Sequence, residues 1–135
     1  MKKTKTKSLN VKWHSYADYA LALLLIASPW IFSLETTAME SKIMVTIGMA
    51  ILCLNLITHH KFGLAKMINI KLHFKIDLFF GWFLIVSPLL YGFFAQILLP
   101  HLLFGTIIIG NALLLKLPLK KLRKIRFIEN RNATS

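Results

Sequence analysis

Apolar residues in this chain gather into four blocks, with all the charged residues except Asp18, Asp77 and Lys116 lying outside them. The blocks run from Ala17 to Leu34, Ile43 to Thr58, Ile76 to Leu99 and Leu102 to Leu117. A bilayer core needs about 17–25 apolar residues in helical form. The first and third blocks meet that length. The second and fourth have 16 residues each, so their flanks (Ser41 and Lys42, Pro100 and His101) are expected at the membrane surface. Local thinning and snorkelling accommodate short spans at modest cost. No block carries the polar stripe that a helix of a soluble bundle shows to water. The pattern predicts an all-α integral membrane protein with four transmembrane helices.

An offset of 59 residues superimposes the first half of the chain on the second. Leu9-Asn10-Val11-Lys12-Trp13-His14 falls on Ile68-Asn69-Ile70-Lys71-Leu72-His73. Asp18 then meets Asp77, and Ser28-Pro29 meets Ser87-Pro88. Apolar matches come free between membrane spans, so the polar identities carry the repeat. Gly48 aligns with Gly105 once a two-residue gap is allowed. A repeat of this kind precedes other fold assignments. The expected architecture is two tandem parallel helical-hairpin repeats forming a small bundle, related by a pseudo-two-fold axis along the membrane normal. Boundaries follow: 1–8 a basic tail, 9–60 the first repeat, 61–118 a connection and the second repeat, and 119–135 a second basic tail. The lead-in to each repeat alternates apolar and polar residues, most plainly from Ile68 to Lys75. That periodicity predicts an extended segment lying on the headgroups.

Charge sets the orientation. Of 17 Lys and Arg, only Lys42 falls in a hairpin turn. The others precede span one, separate spans two and three, or close and follow span four. The positive-inside rule places that side, and both termini, in the cytoplasm. The expected location is a membrane crossed several times, with that basic side in the cytoplasm. Basic residues beside spans are drawn to anionic lipid headgroups, which accounts for the +12 net charge without nucleic acid. The expected partners are therefore the bilayer and its anionic headgroups, with a homo-oligomer or another membrane protein beyond them. The basic start and first apolar block imitate a signal peptide, but the block exceeds the usual h-region and no clean cleavage site follows. Cys53 is the single cysteine, which excludes an internal disulfide.

The candidate chemistry lies in His14 with Asp18 and His73 with Asp77. Residues four apart share a helix face. Two readings stand side by side. Each aspartate can satisfy free amides at a helix start and meet the positive helix end. Alternatively the four residues converge on the bundle axis as one polar or ligand site, with zinc, a proton or another ligand as the occupant. Whether a metal binds is open at this level, and no cofactor is called for. Ala22 and Gly81 are expected to let helices approach closely. Proline frees the carbonyl four residues earlier, and the hydroxyl of Ser28 or Ser87, or a neighbouring helix, is expected to serve it. Asn111, mid-span, requires a partner across a helix interface, and Asn55 is assigned a similar part. No phosphate-binding loop, cysteine pair, His-Glu-x2-His or nucleophile setting occurs, and no catalytic residue is expected.

With Ser28-Pro29-Trp30 near the end of the first long helix and Ser87-Pro88-Leu89 near the end of the second, the chain resembles the bacterial SPW-repeat membrane proteins. The resemblance spans roughly residues 11 to 117. It includes His-x3-Asp at each repeat start and Pro100-His101-x3-Gly105 at the opening of the last span. The second triplet departs from the name, with Leu89 in place of Trp. The resemblance implies a small multi-span protein and supplies no catalytic residues. The expected function is a non-enzymatic structural or partner-binding membrane module. The alternatives are a small transporter or channel, or a metal- or proton-sensing site at the His-Asp pairs.

Overall fold

The computed structural model describes residues 2–59, 63–93 and 97–114, with side chains from residue 11 onward. Four helices follow in order: α1, Lys2–Ile31; α2, Met39–Ile57; α3, Ile70–Leu90; and α4, Ile97–Leu114. No strand occurs among the described residues beyond one isolated bridge between Thr58 and Ile68. The tail after α4, along with His60, Lys61, Phe62 and Gln96, lies outside the described residues.

Three of the helices, α2, α3 and α4, are long and apolar enough to cross a membrane. Helix α1 has 30 residues and carries its apolar block in the second half, after His14 and Asp18. Large apolar side chains such as Leu23, Trp30, Phe79, Trp82 and Leu99 point outward. Outside hydrocarbon that arrangement would be costly. The molecule is a multi-pass membrane protein built from two helical hairpins.

Two helix boundaries differ from the apolar blocks, each for a local reason. The third block, Ile76 to Leu99, is not one helix. It breaks after Leu90, where Gly92 takes φ +76, the left-handed conformation that ends helices at little cost only for glycine. The lead-ins are helical rather than extended. Helix α1 already runs from Lys2, and α3 starts at Ile70 with Asn69 accepting from the Lys71 amide at 3.1 Å. A helix satisfies its backbone internally beside the bilayer, which an unpaired extended segment cannot do.

Each hairpin closes at a pair of small residues. A methyl group built on Gly48 of α2 would stand 2.8 Å from the Ala22 carbonyl oxygen and 2.9 Å from Leu25 Cβ of α1. In the second hairpin, a methyl on Gly105 of α4 would stand 2.7 Å from the Gly81 carbonyl oxygen of α3. The backbones therefore touch where the repeat alignment pairs Ala22 with Gly81 and Gly48 with Gly105. Leu25 from α1, Met44 and Ile51 from α2, Leu84 from α3 and Ile108 from α4 make one shared core.

The prolines act as expected. Pro29 and Pro88 lie inside α1 and α3. The carbonyls they free belong to Leu25 and Leu84. Ser28 Oγ donates to Leu25 O at 2.6 Å, and Ser87 Oγ donates to Leu84 O at 2.8 Å. Trp30 and its counterpart Leu89 are both exposed, so the third position of the triplet faces outward in both repeats.

Candidate metal centre

Helix geometry builds the site. His14 and Asp18 lie one turn apart on α1, and His73 and Asp77 lie one turn apart on α3. The same faces bear Ala22 and Gly81 one turn further on. The close approach there turns both faces inward, and all four polar residues become buried. The two pairs do not stay separate. His14 Nε2 lies 3.1 Å from Asp18 Oδ2 and 3.4 Å from Asp77 Oδ2. His73 Nε2 lies 3.1 Å from Asp18 Oδ2 and 3.0 Å from Asp77 Oδ2. Each imidazole nitrogen thus faces both carboxylates, one from each repeat.

These contacts are not a set of ordinary hydrogen bonds. His73 Nε2 and Asp18 Oδ2 meet in hydrogen-bond geometry. His14 Nε2 and Asp77 Oδ2 reach their partners in distance but not in direction, and neither has a hydrogen bond among the described residues. Two carboxylates taken out of water require compensating positive charge. Four ligand atoms that lie within 4.8 Å of one another supply a place for it. A tetrahedral zinc ion with bonds of about 2.0–2.1 Å sets neighbouring ligand atoms roughly 3.3 Å apart. The four nitrogen-to-oxygen separations, 3.0–3.4 Å, bracket that spacing.

Two residues brace the centre from outside. Asn111 of α4 donates from Nδ2 to Asp18 Oδ1 at 2.6 Å and to the His14 carbonyl at 3.3 Å. This is the cross-helix partner its mid-span position demanded. Thr58, at the end of α2, contacts His73 Nδ1 through Oγ1 at 2.7 Å. Sequence reasoning treats Thr58 only as the end of an apolar block. No spacing rule links it to His73, because the contact depends on how α2 packs against α3.

The other polar candidates separate from this centre. Asn55 bonds the Ile51 carbonyl of its own helix and reaches no neighbouring helix through a hydrogen bond. His101 is buried at the opposite end of the bundle, where its Nδ1 donates to the Ile97 carbonyl at 3.1 Å and its ring meets Phe93. Pro100 sits in the first turn of α4, where no amide is needed. Between the two polar regions stand Leu25, Met44, Ile51 and Leu84, all fully buried. The lone Cys53 is exposed on α2, away from the centre.

No curated protein and no solved structure matches the chain. A family model does match, and it covers residues 12–115, which takes in both hairpins, both His-x3-Asp elements and both Ser-Pro turns. By that match the chain belongs to the SPW repeat domain family.

Proposed function

We propose that this membrane protein is a non-enzymatic module that holds one divalent transition-metal ion, zinc above others, between its two repeats. The convergence of His14 Nε2, His73 Nε2, Asp18 Oδ2 and Asp77 Oδ2 carries the reading. Two imidazoles and two carboxylates suit zinc, a borderline ion satisfied by four ligands. Magnesium and calcium favour six or more oxygens. Charge agrees as well, since two carboxylates and one divalent cation leave the buried centre neutral.

A structural ion fits better than a catalytic or a transported one. Catalytic zinc keeps an open coordination position, and here four protein groups stand ready as ligands, the number a structural zinc takes. The buried Leu25 and Leu84, two turns or less beyond Asp18 and Asp77, support a closed chamber rather than a polar path through the bundle. The ion then fastens α1 to α3, which belong to different repeats. The proposal extends to orientation. Both termini face the cytoplasm of a bacterial inner membrane, with Lys12, Lys71 and Lys75 beside anionic headgroups. The lysine distribution supports this.

The test is metal analysis of protein purified in detergent, followed by titration of the chelator-stripped protein with zinc. About one zinc per chain is expected, and it should be lost in the Asp18→Asn/Asp77→Asn double variant. Wild-type protein that neither retains nor binds zinc would overturn the reading. The centre would then be a lock of protonated histidines and carboxylates.

A further inference from the structure

The imidazole of His73 is not free to choose which nitrogen carries its proton. Thr58 Oγ1 donates its one hydrogen to the Leu54 carbonyl at 2.6 Å. A hydroxyl has a single proton and two lone pairs. What Thr58 presents to His73 Nδ1 at 2.7 Å is therefore a lone pair, so Nδ1 is the donor. In neutral His73 the lone pair then sits on Nε2, the atom 3.1 Å from Asp18 Oδ2 and 3.0 Å from Asp77 Oδ2. A lone pair aimed at two carboxylate oxygens is repulsive, so either a second ring proton or a metal cation must lie between them.

We infer that Thr58 is a positioning residue that holds His73 in its metal-ligating tautomer and ties the ion to the connection between the repeats. The inference rests on the metal reading above and adds the group that decides which nitrogen of His73 faces the carboxylates. A ligating histidine typically donates its other N–H to a fixed acceptor, which sets the ring's orientation and raises its basicity. Thr58 is such an acceptor, and the chain around it is firmly seated. It pairs with Ile68 in the isolated bridge. The Met67 and Ile68 amides donate to the Ile57 carbonyl at 2.8 and 2.9 Å, and the Leu64 amide donates to the Leu56 carbonyl at 2.6 Å. The connection is thus fastened to the end of α2 through the same residues that aim Thr58 at His73.

The other histidine shows what this brace adds. His14 Nδ1 is buried and has no hydrogen-bond partner among the described residues. No described residue accepts from that nitrogen, and its Nε2 is the more distant of the two from Asp77, 3.4 Å against 3.0 Å. The two repeats therefore contribute unequally. The second repeat supplies a histidine with a fixed tautomer, and the first supplies one that the ion itself must orient.

The test compares wild type, Thr58→Val and Thr58→Ser in the full chain in detergent. Zinc affinity is measured by competition with a chromophoric chelator, and histidine tautomers by nitrogen-15 shifts in the stripped protein. Valine keeps the β-branched shape and removes the acceptor. It should lower zinc affinity by about 10–100-fold, the usual effect of losing such a group, and should release His73 from the Nδ1–H form. Serine should restore both. Unchanged affinity and tautomer in Thr58→Val would overturn the inference. If Thr58→Val fails to fold, the wild-type shifts decide alone: a proton on His73 Nε2, as the Nε2–H tautomer or as the imidazolium, overturns it, and an Nδ1–H tautomer with a bare Nε2 sustains it. Absence of zinc binding by wild type would sink the metal reading itself, and this inference with it. That outcome is distinct from a wild type that binds zinc with Thr58 irrelevant.

Discussion

Asp18 and His73 are separated by 55 residues and belong to different repeats, yet their side chains meet at 3.1 Å in the buried centre of the bundle. The aspartate reaches across to the histidine of the other repeat as closely as to the histidine of its own helix. This cross-pairing turns two copies of one short motif into a single site.

A shared site behaves as a unit. Removing His14 and Asp18 (His14→Gln/Asp18→Asn) should abolish the zinc-dependent rise in melting temperature. Removing His73 and Asp77 as well should cost no further zinc-dependent stability. Additive losses in the four-residue variant would show two independent helix locks, because separated sites add.

Protons compete with the ion for the same ligand atoms. Histidine titrates near pH 6.5 when unperturbed, and ligands must be deprotonated to bind metal. Zinc affinity should therefore fall as pH drops from 7.5 to 5.5. The loss should be smaller in a variant lacking both histidines, since only its carboxylates remain. Chelator competition at the two pH values checks this, and a pH-independent affinity in wild type would contradict it.

The glycine contacts predict equal sensitivity in the two hairpins. Gly48→Val and Gly105→Val drive side chains into backbone carbonyls at Ala22 and Gly81, an overpacking that typically costs 1–3 kcal/mol, about the same in each repeat. Gly110→Ala meets nothing within 4 Å and should be neutral or slightly stabilising through helix propensity. Unfolding in mixed detergent gives the comparison. A Gly105 variant as stable as wild type would contradict the close approach.

Serine and proline should be coupled within each long helix. Ser28→Ala removes the donor to the Leu25 carbonyl, which should cost about 0.5–1.5 kcal/mol. In a Pro29→Ala background the residue-29 amide serves that carbonyl, and the cost of Ser28→Ala should shrink. The same cycle applies to Ser87 and Pro88. Full additivity would show that serine acts independently of the freed carbonyl.

Orientation is checked by fusing a reporter that is active only outside the membrane. Signal is expected at Glu35 and Gln96, and none at Lys66 or the C-terminus. Signal at Lys66 would overturn the two-hairpin topology with cytoplasmic termini.

What the sequence by itself determined is the set of properties that depend on local composition and on the repeat. Long apolar blocks leave helix as the only backbone form that satisfies itself in lipid. The 59-residue offset predicted that Ala22 and Gly81 are equivalent, as are Ser28 and Ser87, and each pair plays one role in the structure. Asn111 was legible as a residue in need of a partner, because an amide in a span must be bonded. Other features depended on folding. Period-two alternation from Ile68 to Lys75 suggested an extended segment, but Asn69 caps a helix there, since backbone satisfaction outweighs side-chain alternation beside a bilayer. Sequence placed His14 with Asp18 and His73 with Asp77 on their own helix faces and left two readings of them open. Only packing, set where Ala22 meets Gly48 and Gly81 meets Gly105, turned both faces to one point. Thr58 joined the centre through contacts between α2 and α3 that no spacing along the chain encodes.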